Sequence, residues 1–200
     1  RLGIRVIIVM HPVSGRTYIS KGLLKKAKQI ARKNVKILSK EVCAGRPLVG
    51  IEPSAILGFR DEFPELVGKD MKVLAEELSK YCFTLEEYLD NAFEKGVFDS
   101  TLFTKEKVQL KLHGHCQQKS IASTAPTKRV LSIPANYSVV EIPSGCCGMA
   151  GSFGYEKEHY ELSMKVGELV LFPAVREADG ETIVVAPGTS CRHQISDGTG

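Results

Sequence analysis

Two hundred residues, 43% of them hydrophobic, can bury one α/β core or two small ones, and no low-complexity stretch argues for disorder. The longest apolar runs, such as residues 6–10, are far too short to cross a bilayer, and no secretory signal precedes them. A cytoplasmic chain, free or peripheral to a membrane, is therefore expected. The formal charge of +4 gathers in one helix-like stretch (Lys25, Lys26, Lys28, Arg32, Lys33 and Lys36) with no interleaved aromatic residue to stack on bases. It reads as a solvated helix face, suited at most to an acidic partner domain, and excludes nucleic acid.

The chain opens at Arg1 and runs directly into strand-like sequence, as a fragment of something longer would. A first strand is expected over Ile4–Met10, ending at His11-Pro12-Val13-Ser14-Gly15. A helix follows, with Leu23, Ala27, Ile30, Ala31, Val35 and Leu38 at helical spacing. A second strand, Leu48–Ile51, ends at Glu52-Pro53-Ser54-Ala55. Helices are expected over 70–81 and 85–94, with Thr84 and Glu87 fitting a capping box. Strand-like runs then recur at 108–112, 139–142 and 183–186, with an amphipathic helix carrying Leu162, Val166, Leu169 and Val170 before the last. Proline cannot donate to a sheet ladder, so the prolines ending four of these runs mark strand ends, and the small residues after them allow tight turns.

Short apolar strands alternating with helices argue for an α/β protein of two duplicated βαβ-type units, each a small parallel sheet with flanking helices. The expected domains are 1–104 and 105–200. The 108–112 strand has no counterpart in the first unit.

Six cysteines without a secretory signal do not resemble a disulfide framework. Cys43 and Cys82 stand alone and read as ordinary, semi-buried thiols. Cys146 and Cys147 are adjacent, and closing a disulfide between neighbours strains both the peptide and the bridge. Two thiols on a glycine-rich loop can instead point into one space. Cys116, the Cys146–Cys147 pair and Cys191 each follow a separate predicted strand, and ligands of open parallel sheets gather beyond the strands' carboxyl ends. A four-thiolate cage is therefore expected, suited to an iron–sulfur cluster or zinc.

Backbone N–H groups of the following loop, at Gly148 and Gly151, would stabilise thiolates and an anionic cluster. His113, His115 and His193 each lie within a few residues of an expected ligand and are candidate metal ligands or hydrogen-bond donors behind the ligands, His115 and His193 at most the latter. Lys119 and Arg192 either add compensating charge or face solvent. The spacing of Gly148, Gly151 and Gly154 does not fit a dinucleotide-binding loop.

On these residues the chain resembles the cysteine-rich CCG domain family. That family includes the iron–sulfur components of glycolate oxidase and anaerobic glycerol-3-phosphate dehydrogenase, and one component of heterodisulfide reductase. The similarity is greatest to the C-terminal region of single-chain FAD-linked oxidases of the D-lactate and D-2-hydroxyglutarate dehydrogenase type. It rests on residues 14–24, 50–54 and 60–62, on His113-Gly114-His115-Cys116, on Ser144 to Tyr155, and on Gly188 to Ile195. The resemblance implies a [4Fe–4S] cluster here, and FAD and ferredoxin-like domains upstream. It also implies electron flow from a D-2-hydroxy acid through flavin, with no dehydrogenase activity in this fragment alone.

Two departures stand out. Cys191-Arg192-His193-Gln194 keeps one cysteine where the family often has Cys-x-x-Cys, leaving four thiolates, enough for a cubane cluster and too few for a five-cysteine noncubane one. Ser14-Gly15-Arg16 and Ala55 stand where relatives often carry cysteines, so the first unit's site is expected to be empty; Cys43-Ala44-Gly45-Arg46 mimics the lost motif at the wrong end of the sheet. Two other readings remain open: a zinc-binding or metal-free structural domain, and a thiol–disulfide redox module, against which the lack of Cys-x-x-Cys counts.

Overall fold

The computed structural model describes residues 2–200, which divide into two compact units, residues 5–85 and residues 86–200, with Leu2 packed into the second. The first unit runs α1 (Arg16–Ser20), α2 (Leu24–Leu38), β1 (Leu48–Gly50), α3 (Pro53–Ile56), α4 (Glu62–Leu66), α5 (Lys72–Ser79) and β2 (Cys82–Thr84). Helix α2 buries Ala27, Ile30, Ala31, Val35 and Leu38 and turns its lysines outward, as its spacing predicts. Against it pack Phe63 and Val67, and the same core holds Ile56, Leu57, Phe59, Ala75 and Leu78.

The sheet of this unit corrects one expectation. Strand β1 pairs in parallel with β2, Leu48 opposite Cys82 and Gly50 opposite Thr84, and not with the apolar run at 4–10. That run joins no ladder: Val6, Ile8 and Met10 are 78%, 88% and 89% exposed. Apolar, β-branched sequence makes a strand only where a neighbouring edge accepts its hydrogen bonds, and no strand of the described chain runs beside it. Conversely, Cys82-Phe83-Thr84 is three residues wedged between helices, too short to show a period.

The second unit contains α6 (Leu85–Glu94, beginning at the boundary), β3 (Val108–Leu112), α7 (Cys116–Ile121), α8 (Ala125–Leu131), β4 (Tyr137–Glu141), α9 (Tyr160–Glu168), α10 (Leu171–Arg176), β5 (Thr182–Val185) and α11 (Thr189–Thr199). Its sheet is wholly parallel in the order β4-β3-β5. Leu112 at the end of the central strand lies opposite Glu141 on one side and Val185 on the other. The ladder carries on one step: the Ile142 N–H donates to the Leu112 carbonyl and the His113 N–H to the Val185 carbonyl, both at 2.8 Å. All three strands thus finish at one level.

Beneath that rim Ile142, Met149, Leu171, Phe172 and Ala186 form a core that includes Cys147 and Cys191. A satellite cluster joins Ala92 on α6 to Phe98 and Ile133, and is pinned by an ion pair between Arg129 and the largely buried Asp90. No described helix is long and apolar enough to cross a membrane.

Candidate metal centre

Because β4, β3 and β5 are parallel neighbours, the loops leaving their carboxyl ends share one edge. Each loop brings cysteine. His113-Gly114-His115 leads from β3 to Cys116, the first residue of α7; the β4 loop carries Cys146 and Cys147; and Gly188 caps α11, which has Cys191 in its first turn. The four sulfurs form a continuous row of interactions, Cys116 with Cys146, Cys146 with Cys147, and Cys147 with Cys191. Cys147 and Cys191 are 2% and 1% exposed. The sulfurs of both lie within 4.8 Å of each other and of a ring nitrogen of His113.

The glycine-rich loop is shaped by Gly148, whose φ of +101° suits glycine. A Cβ there would also stand 2.1 Å from the Ser163 carbonyl oxygen of α9. That close approach is fixed by a buried polar clasp. Ser163 Oγ donates to the Gly148 carbonyl at 2.9 Å, while Gln194 Nε2 of α11 donates to Ser163 Oγ and O at 2.9 and 3.0 Å. With the chain so bent, the Gly148 N–H donates to Cys146 Sγ at 3.3 Å, and the Ala150 N–H supports the same sulfur. Gly151, expected to be a second amide donor, takes a left-handed φ of +71°, but the amide that reaches sulfur is that of Ala150.

Electrostatics follow from this row. Cys146 accepts from Cys116, Cys147 and two backbone amides, and its thiol is held far below its ordinary range. Cys191 accepts from Cys147 and interacts with the His113 ring, with His115 nearby, and is lowered to about 5. Cys116 and Cys147 do the donating. Both are pushed up, first by their bonds to Cys146, for Cys147 next by its bond to Cys191, and then by burial. Raised and lowered thiols alternate along the row.

The histidines separate clearly. His113 is fully buried, its Nδ1 2.7 Å from Ser144 Oγ. Its Nε2 is buried without a hydrogen bond of regular geometry. His115 is buried against Gly188, where a Cβ would stand 2.4 Å from the imidazole and 3.1 Å from Cys191 Sγ. His193 is exposed and pairs with the Tyr155 hydroxyl at 2.8 Å.

Lys119 donates to the Ser144 carbonyl, tying α7 to the β4 loop. Arg192 donates to the Ala186 and Pro187 carbonyls, each at 3.0 Å, and to Thr189 Oγ1. Both cations therefore hold loop backbone. Cys82 is buried, donates to the Leu78 carbonyl at 3.3 Å, and is pushed up to about 12 by burial. Cys43, expected to be semi-buried, is exposed, because the Cys43–Arg46 turn that carries it stands clear of the core.

Four thiols and one imidazole nitrogen are soft and borderline donors that suit zinc or an iron–sulfur cluster. A buried ring nitrogen with no regular hydrogen bond is otherwise costly. The residues present thus fit a metal group.

No family model and no solved structure matches the chain. Curated relatives do. It is 28% identical over 204 residues to D-2-hydroxyglutarate dehydrogenase of Escherichia coli (strain K12), a match covering all of this chain and 19% of that protein. It is 26% identical over 199 residues to the enzyme of that name from Pantoea ananatis, covering 98% of the chain and 18% of the relative. One component of the anaerobic glycerol-3-phosphate dehydrogenase of Escherichia coli (strain K12) is 28% identical over 187 residues, 92% of the chain and 45% of that component. The chain thus spans about a fifth of the D-2-hydroxyglutarate dehydrogenases it matches. The resemblance expected from the residues around Cys116, Cys146 and Cys191 extends over essentially the whole sequence, and by it this chain is a relative of one part of the D-2-hydroxyglutarate dehydrogenases and of this glycerol-3-phosphate dehydrogenase component.

Proposed function

We propose that the second unit is the iron–sulfur electron-transfer domain of a flavin-linked oxidoreductase acting on a D-2-hydroxy acid. The observation that carries this reading is the delivery of four thiols by three parallel strand ends to one rim. Relatives that are oxidoreductases, several of them about five times longer, support placing the domain beside a flavin domain and a ferredoxin-like domain. Cys116, Cys146, Cys147 and Cys191 would hold a [4Fe–4S] cluster, which when bound supplies one-electron transfer.

The rest is the work of the chain. The Gly148 and Ala150 amides stabilise negative charge on Cys146, which for a bound cluster raises the reduction potential. The apolar layer of Met149, Leu171 and Phe172 keeps water from the buried sulfurs. Lys119 and Arg192 hold the β4 and β5 loops in place.

The test is purification without oxygen. A brown protein with equal iron and acid-labile sulfide supports the reading, and a colourless chain with one zinc overturns it. Zinc is the second reading, favoured by the close convergence of His113, Cys147 and Cys191. In either case the chain alone is expected to oxidise no hydroxy acid.

A further inference from the structure

We infer that His113 is a metal ligand, donating through Nε2 alongside Cys147 and Cys191, and that Ser144 is its positioning residue. The inference rests on the second, single-ion reading of the metal centre, because four thiolates already complete the ligand set of a [4Fe–4S] cluster. Three observations converge. A ring nitrogen of His113 lies within 4.8 Å of both Cys147 Sγ and Cys191 Sγ, a spacing that a single ion with bonds of about 2.0–2.3 Å can bridge after small shifts. Nδ1 is taken by Ser144 Oγ at 2.7 Å, so Nε2 is the free donor. And Nε2 is buried without a hydrogen bond of regular geometry, on a side chain with no exposed surface whose ring interacts with the Cys191 sulfur.

This is the arrangement a ligating histidine needs: one nitrogen bonded to an outer partner that fixes ring and tautomer, the other presented to the metal. Its place in the fold explains it. His113 is the first residue beyond the central strand, with its N–H in the ladder to Val185, so both neighbouring strands enclose it. His115, two residues on, packs against Gly188 instead. Nitrogen in a sulfur cage has a consequence: the single-ion site has a mixed nitrogen–sulfur ligand set.

The experiment uses the 200-residue chain, with cadmium-113 and cobalt(II) as probes. Cadmium-113 bound to the unaltered chain is expected to show scalar coupling to the imidazole ring protons of His113, a readout that needs no variant. His113→Ala should weaken cobalt(II) binding by about tenfold or more and shift its visible ligand-field bands, with Ser144→Ala causing a smaller loss of the same kind. His113→Cys should restore tight binding with a cadmium resonance moved toward the all-sulfur range. Cadmium that binds through sulfur alone, with no coupling to His113 and cobalt spectra unmoved in His113→Ala, overturns the assignment while leaving the metal centre intact. Failure of the unaltered chain to bind either ion overturns both.

Discussion

The loop at residues 13–16 in the first unit and the loop at residues 146–149 in the second occupy matching places in the proposed duplication, and they are built alike but filled differently. Each turns on a glycine in left-handed conformation, Gly15 at φ +80° and Gly148 at φ +101°. Each is clasped by a buried polar residue of a following helix. Asn34 of α2 donates to the Val13 carbonyl at 3.0 Å; Ser163 of α9 donates to the Gly148 carbonyl at 2.9 Å. In the second unit the loop presents two thiols. The first offers Ser14, whose hydroxyl accepts from the Arg16 N–H at 3.4 Å, and Arg16, paired with Glu62. Where α11 brings Cys191, α3 brings Ala55 behind Glu52, which accepts from Ser54. The difference teaches that a glycine turn of this kind can be held by buried hydrogen bonds and an ion pair with no thiol at its tip.

The largest effect should come from removing a sulfur. Cys147→Ser is expected to abolish metal loading, because the oxygen is a poor ligand for soft metals and its hydroxyl would sit in the apolar core. Cys43→Ser, on an exposed turn of the first unit, should leave loading unchanged. Metal per chain by elemental analysis checks both. Equal loss in the two variants would break the contrast between the units.

A second test uses protons. Cys116 and Cys147 are the donors of the sulfur row and keep their protons to higher pH than a free thiol. A metal must displace those protons, so affinity should rise with pH, by about tenfold per unit for each proton released. Cys191, lowered to about 5, is already a thiolate at neutral pH and adds nothing above it. Zinc competition titrations over a series of pH values give the slope. A flat profile would mean that Cys116 and Cys147 do not bind as thiolates.

Much of this contrast is legible in the residues alone. That Cys116, Cys146–Cys147 and Cys191 should meet follows from three apolar runs, each ending in a turn, since parallel strands put their following loops on one edge. The sheet order is not legible, because register and neighbours depend on packing between segments far apart in sequence. For that reason the enclosure of His113 at the end of the central strand is hidden, and His193, equally close to a cysteine in sequence, turns to solvent beside Tyr155. The run at 4–10 shows the limit in the other direction. Its composition is that of a strand, but strand formation is a property of pairs.

Backbone tests sharpen the comparison of the two glycines. Gly148→Ala meets both a left-handed φ and a backbone oxygen 2.1 Å away, which cannot yield without moving α9. A loss of about 3–5 kcal/mol is expected. Gly15→Ala meets the same conformational strain but only Ile30 Cγ2 at 3.2 Å, a side chain that can shift, so about 1–2 kcal/mol is expected. Urea denaturation of the two variants measures the ratio. Equal losses would mean that the Ser163 clasp is looser than its hydrogen bonds imply.

The smallest expected effect concerns Ala150, which has a φ of +41° among residues where glycine would normally be found. An L-residue there costs about 1–2 kcal/mol, and glycine would remove that strain while giving the unfolded chain more freedom, worth about 0.5–1 kcal/mol in the other direction. Ala150→Gly should therefore leave stability unchanged or raise it by up to about 1 kcal/mol. Its amide supports Cys146, so the substitution also separates strain from function. If the strained conformation serves only to aim that N–H, glycine keeps the aim and metal affinity stays the same. A marked fall in affinity with stability unchanged would show instead that the alanine holds the loop rigid, a constraint for which the hydrogen-bonded loop at Ser14 has no equivalent.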